Sequence, residues 1–258
     1  MITAASNSRI KRLVQLNQKS KLRRTEDVFL AEGVKMFLEA PREQLQEVYV
    51  SESFLEKCSC REHLEEVGYE VVSDSVFSKI SDTCTPQGIL CVLKQFHYNI
   101  EEMLRDKAPL FLLLENIQDP GNLGTMLRTG EGAGVSGIIM SRDTVDLYNP
   151  KVIRSTMGSI YRVPFYYAED FAAAVHQVQQ AGVSVYAAHL RGKNSYACQD
   201  YTKGTAFLIG NEGNGLREET AELADCYIRI PMEGKVESLN AAVASSILMY
   251  EAHRQRAI

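Results

Sequence analysis

The sequence predicts an α/β protein in two parts: a smaller α/β unit ending near residue 95, then a larger one built on a mostly parallel sheet with helices on both faces. Three observations predict it. Beyond residue 108, short apolar runs alternate with helical segments, the pattern of successive strand–helix crossovers. The first of these runs, APLFLLLEN, is apolar almost without a break, as a strand covered on both faces must be. Three stretches rich in glycine, asparagine and proline each follow directly on a strand, where ligands of parallel sheets bind. A length of 258 residues suffices for one large domain or two modest ones.

Taken in order, the opening MITAASNSRIKRL is basic and lacks the apolar core of a secretory signal. Arg9, Lys11, Arg12, Lys19, Lys21, Arg23 and Arg24 all precede the first acid, Glu26, on a chain whose net charge is −5. Such a segment is either a local phosphate-binding arm or a solvated helix face. EVYVS, YEVVS and GILCVLKQF are rich in β-branched residues and read as strands, and FLEKCSCREHLEEVG and SVFSKISD as helical segments between them. HYNIEEMLRDKAP reads as a short helical connector before Pro109, which divides the chain into residues 1–98, a linker 99–108 and residues 109–258. In the second part APLFLLLEN, SGIIMS, VSVYAAH, GTAFLIG and CYIRIP are expected strands. GNLGTMLRTGEGAG opens a helix, DLYNPKVIRSTMGSIY passes from loop to helix, and DFAAAVHQVQQAG is a helix ended by Gly182. A last helix is expected from Ser238 to about Arg254.

Composition narrows the function classes. No apolar run approaches the roughly 20 residues needed to span a bilayer. The six cysteines are scattered without a CxxC pair and the five histidines are equally dispersed. Neither a metal site nor a disulfide framework is expected, and a reducing cytoplasm fits best.

Three stretches carry the chemistry. In ENIQDPGNLGTMLRTGEGAG, Asp119 or Asn122 is placed to cap the helix that follows, and Arg128 falls about two turns in. The free N–H groups of a helix start also attract anions, so a capped turn and an anion site are both open readings. The glycines match neither a GxxxxGK[ST] loop nor a GxGxxG fingerprint. In FLIGNEGNGL, Gly210, Gly213 and Gly215 permit a sharp turn and close ligand approach, and Glu212 is the one charge among them. In IPMEGKVESLN, Pro231 ends the strand and Ser238 is the expected cap of the last helix, with Asn240 two positions in. All three follow strands of one sheet, so they are expected on one edge of it.

These residues resemble a known family. Asn116, Asp119, Pro120, Asn122, Gly124 and Arg128 form NxxDPxNxGxxxR. Gly210, Glu212 and Gly215 form GxExxG, and Ile230, Pro231, Met232, Gly234, Ser238, Leu239 and Asn240 form IPMxGxxxSLN. Order and spacing resemble the three motifs of the SpoU/TrmH ribose methyltransferases of the SPOUT superfamily across residues 110–256. The first half, from SNSRIKRLVQL through TPQGILCVL, is more loosely similar to that family's N-terminal α/β/α RNA substrate-binding domain.

The resemblance implies a C-terminal α/β-knot with a deep trefoil knot, against the general rarity of knots. It implies S-adenosyl-L-methionine as cofactor, RNA as substrate with ribosomal favoured over transfer RNA, and a homodimer through the C-terminal domain. By position, Gly210, Ile230 and Leu239 should contact the cofactor, with Ala188, His189, Asn211 and Met232 as neighbours. Asn116, Arg128, Glu212, Ser238 and Asn240 should form the reaction centre. Arg9, Lys11, Arg12, Lys21, Arg23 and Arg24, together with Arg154 and Ser155, should face RNA. Gly130 and Gly132 depart from the alanine more usual in this helix and weaken it by roughly 1 kcal/mol each, which puts the helix end in question.

Methyl transfer to a ribose 2′-hydroxyl needs alignment and help for a weakly acidic nucleophile, and no metal. Arginine keeps its proton in proteins, so Arg128 is expected to orient the hydroxyl and stabilise alkoxide charge, with Glu212 orienting Arg128 or Asn116. Base methylation on the same scaffold and a non-catalytic RNA-binding assembly factor are the rival readings.

Overall fold

Ile10, Leu13 and Leu16 recur at helical spacing in the basic opening segment and none is more than 1 % exposed. That stripe makes the segment an amphipathic helix, Ser8–Gln18, followed by a second, Ser20–Glu26. The computed structural model describes residues 1–257, and in it the chain forms two units. One is Met1–Phe96 together with Asp146–Tyr161, and the other is His97–Val145 together with the residues from Arg162 onward.

The first unit has a four-stranded sheet of β1 (Val28–Glu32), β2 (Leu45–Ser51), β3 (Glu70–Val72) and β4 (Ile89–Lys94), in the order β1-β4-β2-β3. Strand β4 is antiparallel to both β1 and β2, whereas β2 and β3 are parallel. The opening helix packs Ile10, Leu13 and Leu16 with Leu30, Tyr49, Phe77 and Leu90 into one core. Phe29 from β1 meets the rings of Phe96 and Tyr148 at centroid distances of 6.0 and 4.9 Å. The Tyr148 hydroxyl accepts from the Phe96 N–H at 2.6 Å and donates to the Phe96 carbonyl at 3.0 Å. Strand β1 was not expected from the sequence.

Arg23 corrects the reading of the basic segment. It is 3 % exposed, its Nη1 donates to the carbonyls of Leu16 and Asn17 at 2.6 and 3.2 Å, and its Nη2 pairs with Asp146 at 2.5 Å. A guanidinium so enclosed braces the helix pair and cannot meet RNA. Arg9 pairs with Glu70, Arg12 with both Glu26 and Glu47, and Arg154 with Asp82. The Ser155 hydroxyl donates to the Lys151 carbonyl at 2.8 Å. Lys11, Lys21 and Arg24 are exposed.

In the second unit β5 (Leu110–Leu114), β6 (Gly137–Ser141), β7 (Phe165–Ala168), β8 (Ser184–Ala188), β9 (Asn194–Ser195), β10 (Thr205–Ile209) and β11 (Cys226–Arg229) form one sheet. Its order is β7-β6-β5-β10-β8-β11-β9, and every pair is parallel. The short strands β7 and β9 were not expected. Register aligns the carboxyl ends, with Leu114 opposite Ile209, Leu208 opposite Ala187, and Ala188 opposite Ile228. From β5 the chain winds to one side through β6 and β7, while β10, β8 and β11 lie on the other. The point of reversal, between β5 and β10, is where ligands of such sheets bind.

The helix after β5 runs Pro120–Ala133, so Gly130 and Gly132 do not end it early. A Cβ on Gly130 would come within 2.9 Å of Val135 and 3.7 Å of Met249, and one on Gly132 within 2.9 Å of the Tyr250 hydroxyl. Gly130 thus makes room for Val135 just past its own helix, and Gly132 for Tyr250 of the last helix, Ala241–Arg256. That helix begins later than expected. Its cap is Asn240, whose Oδ1 accepts from the N–H groups of Ala242 and Val243 at 2.9 and 3.2 Å, and Ser238 lies ahead of it.

Candidate active site

Each strand end leads straight into one of the polar stretches. After β5, Asn116 takes a left-handed conformation, φ +54°, which asparagine tolerates better than most residues. Its N–H donates to Ser141 Oγ at 2.8 Å, its carbonyl accepts from Asn211 Nδ2 at 2.8 Å, and its Oδ1 accepts from Gln118 Nε2 at 2.6 Å. Asp119 then caps the following helix, accepting from the Asn122 N–H at 2.8 Å, with Pro120 in the first turn.

After β10, the backbone of Asn211 pairs with that of Gly215 in both directions, and Asn211 Oδ1 accepts from the N–H groups of Gly213 and Asn214. This closes a tight loop. A Cβ on Gly210 would run into backbone atoms of Gly215 and Leu216, so only glycine permits the return.

Glu212, at the tip of that loop, holds the first stretch. Its Oε1 accepts from the Asp119 N–H and from Asn122 Nδ2, both at 3.0 Å, and its Oε2 accepts from the Gln118 N–H at 3.1 Å. Partial burial pushes the carboxyl upward, but the bonds from Asn122, Gln118 and Asp119 outweigh it and hold it below the usual carboxylate range. Asn122 in turn accepts from Asn240 Nδ2 at 3.0 Å. Glu212, Asn122 and Asn240 thus link all three stretches in one chain of hydrogen bonds.

This arrangement corrects two expectations. Glu212 engages Gln118, Asp119 and Asn122 and not Arg128. The asparagine at the junction is Asn122, one of the two expected helix caps, while Asn116 turns its side chain to Gln118. The signal for Asn122 was its fixed place in the DPxN pattern, but its two partners lie about 90 and 118 positions away.

Beside this junction a cleft of about 310 Å³ opens, within the roughly 300–1,000 Å³ of small-ligand sites. All seven residues expected beside the cofactor line it: Gly210, Ile230, Leu239, Ala188, His189, Asn211 and Met232. Glu212 and Ser238 line it as well, whereas Asn116, Arg128 and Asn240 do not. The lining also includes the apolar Ile209, Ile228, Ala241 and Ala244 and the charged Arg229 and Glu237. Burial, aided by the charge of Arg191, lowers the His189 pKa, so its imidazole is neutral at pH 7. Arg128 is exposed on the helix that Asp119 caps, and its guanidinium makes no hydrogen bond or ion pair among the described residues.

Fold and site together define an α/β protein with a small-ligand cleft where the loops after β8, β10 and β11 meet at the carboxyl edge of a parallel sheet. Comparison with known proteins makes this specific: residues 109–250 match the SpoU rRNA Methylase family, and residues 7–91 match the MRM3-like substrate binding domain. The chain belongs to the SpoU rRNA methylase family. It is 33 % identical over 252 residues to the 23S rRNA (guanosine(2553)-2′-O)-methyltransferase RlmP of Bacillus subtilis, covering 96 % of this chain and 97 % of that one. Among solved structures, an AdoMet-bound rRNA methyltransferase from Sinorhizobium meliloti superposes with a TM-score of 0.84 at 31 % identity, covering 98 % and 97 % of the two chains. The SpoU methyltransferase AviRb of Streptomyces viridochromogenes, in complex with AdoMet, gives 0.88 at 26 %, covering 97 % and 98 %.

Proposed function

We propose that this chain methylates a ribose 2′-hydroxyl of ribosomal RNA with S-adenosylmethionine as donor, in the cytoplasm and as a homodimer. Two features of the second unit carry the reading. One is a cleft lined by apolar residues together with the carboxylates of Glu212 and Glu237. The other is an exposed arginine without a partner among the described residues, on the helix that the linked loops hold in place.

The residues present fit the donor. Ile228, Ile230, Leu239, Ala241 and Ala244 offer an apolar bed for a nucleoside base, and Glu237 and Glu212 are carboxylates suited to its positive charges. When bound, the donor supplies an electrophilic methyl group on a positive sulfur. The loops 210–216 and 230–240 would clasp it, and the reading includes the knotted path that the family resemblance implies. Arg128 orients the hydroxyl and stabilises the charge that grows on its oxygen. Ser238, on the cleft wall, and Asn116 are assigned to the substrate side. Glu212 and Asn240 act through Asn122, holding the first loop and the last helix in register. Lys11, Lys21 and Arg24 are assigned to RNA phosphates, with Arg9, Arg12, Arg154 and Ser155 contributing where RNA displaces their present partners. Val243 and Tyr250, apolar yet 48 % and 49 % exposed on the last helix, support self-association through the second unit.

The test incubates the protein with methyl-labelled donor and ribosomal RNA, then digests the RNA to nucleosides. A labelled 2′-O-methylnucleoside is expected. A methylated base would establish base methylation instead, and RNA binding without transfer an assembly role. Transfer RNA offered in parallel should be a poorer substrate.

A further inference from the structure

The loop after β10 grips the first stretch twice, and only the first grip, through Glu212, belongs to the motifs. The second comes from Arg217. Its guanidinium joins two carboxylates, with Nη1 3.4 Å from Glu115 Oε1 and Nη2 bonded to Asp143 Oδ2. Its N–H also donates to Glu115 Oε2 at 2.8 Å. Glu115 is 2 % exposed and receives the Thr220 hydroxyl at 2.5 Å. On the far side, Asp143 Oδ1 accepts from Ser141 Oγ at 2.5 Å, and Ser141 Oγ in turn accepts from the Asn116 N–H at 2.8 Å. The Asp143 carbonyl takes Gln118 Nε2 at 2.6 Å. The left-handed turn at Asn116 is therefore held from the β6 side by a strut that ends on the β10 loop.

We propose that Arg217 is a positioning residue for methyl transfer: through Asp143 and Ser141 it locks the Asn116–Asp119 turn to the loop that lines the cleft, and so fixes where the helix bearing Arg128 starts. This rests on the methyltransferase reading above. A turn free to rock would displace the start of that helix relative to the cleft, and a misplacement of about 1 Å at a reacting group can lower the rate by about a hundredfold. Arg217 lines no part of the cleft, so donor affinity should be spared.

Two variants separate this role from simple stability. Arg217→Ala breaks the strut but also strips a buried carboxylate of its cation, which is destabilising. Asp143→Asn breaks the strut while leaving Glu115 with the Arg217 N–H and guanidinium and the Thr220 hydroxyl. Both should lower kcat by at least about tenfold with the donor Kd within about twofold, and Arg217→Lys should restore part of kcat. Hydrogen exchange supplies a readout free of activity. The Asn116 amide should exchange at least about tenfold faster in Asp143→Asn, while that of Gly215 does not change. Wild-type kcat in Asp143→Asn, or a donor Kd that rises in step with the loss of kcat, would overturn the proposal, as would unchanged exchange at Asn116. If the unaltered protein transfers no methyl group at all, the functional reading fails, and the exchange result still decides the strut.

Discussion

Replacing Glu212 by glutamine changes one atom at the junction of the three loops. The glutamine oxygen can keep the Oε1 bonds from Asp119 and Asn122, but its amide then meets the Gln118 N–H that Oε2 receives at 3.1 Å. Two donors face each other and one charge-assisted hydrogen bond is lost, a contribution of about 1.5–3 kcal/mol when well shielded. Glu212 is an exposed residue and water screens the bond, so the expected loss is about 1–2 kcal/mol. At about 2–4 °C per kcal/mol for a unit of this size, the unfolding midpoint at pH 7 should fall by about 2–8 °C. The pH dependence is a sharper check. Because the folded carboxyl is held below its ordinary value of 4.5, its stabilisation is full above that value and fades as pH falls through the lower folded pKa. Melting curves of the two proteins should therefore converge in acid. Identical midpoints at pH 7, or a gap that persists undiminished at pH 3, would refute the assignment of Glu212 to this junction.

Arg128→Ala should reduce methyl transfer by about a hundredfold or more while calorimetry finds donor affinity within about twofold. Gly210→Ala drives a Cβ into the backbone of Gly215 and Leu216. It should destabilise the protein by about 1–3 kcal/mol and sharply weaken donor binding, read by thermal melts with and without donor. Changing Lys11, Lys21 and Arg24 together to glutamine should weaken RNA binding most at low salt and flatten the log–log salt slope by about 2–3, as measured by titration over a range of salt concentrations.

The parts legible in the sequence were those written by local chemistry. APLFLLLEN announced a strand buried on both faces, and β5 is that strand. The three polar stretches met at one sheet edge because parallel strands put every carboxyl end on the same side. What escaped depends on distant partners. Arg23 looked like one more cation in a basic run, yet Asp146, 123 positions on, makes it structural. Ser238 and Asn240 are both fair caps by propensity, and the backbone path decided for Asn240. Gly130 and Gly132 read as a weakness of their helix until Val135 and Tyr250 supplied the reason for them. Strand β1 begins two residues after Glu26, where a charge-rich stretch masked a short apolar one.

The grouping of Asp146–Tyr161 with the first ninety-six residues has a consequence for how the molecule is made. A fragment stopping at the linker would leave Phe29 without Tyr148 and Arg23 without Asp146, and an orphaned buried charge alone costs about 3–5 kcal/mol. On the ribosome, at about 5–20 residues per second, the amino-terminal part therefore waits several seconds after its own strands have emerged, until β5 and β6 have been synthesised and Tyr161 follows. The portion born first is completed late, by a piece of chain delivered from within its neighbour.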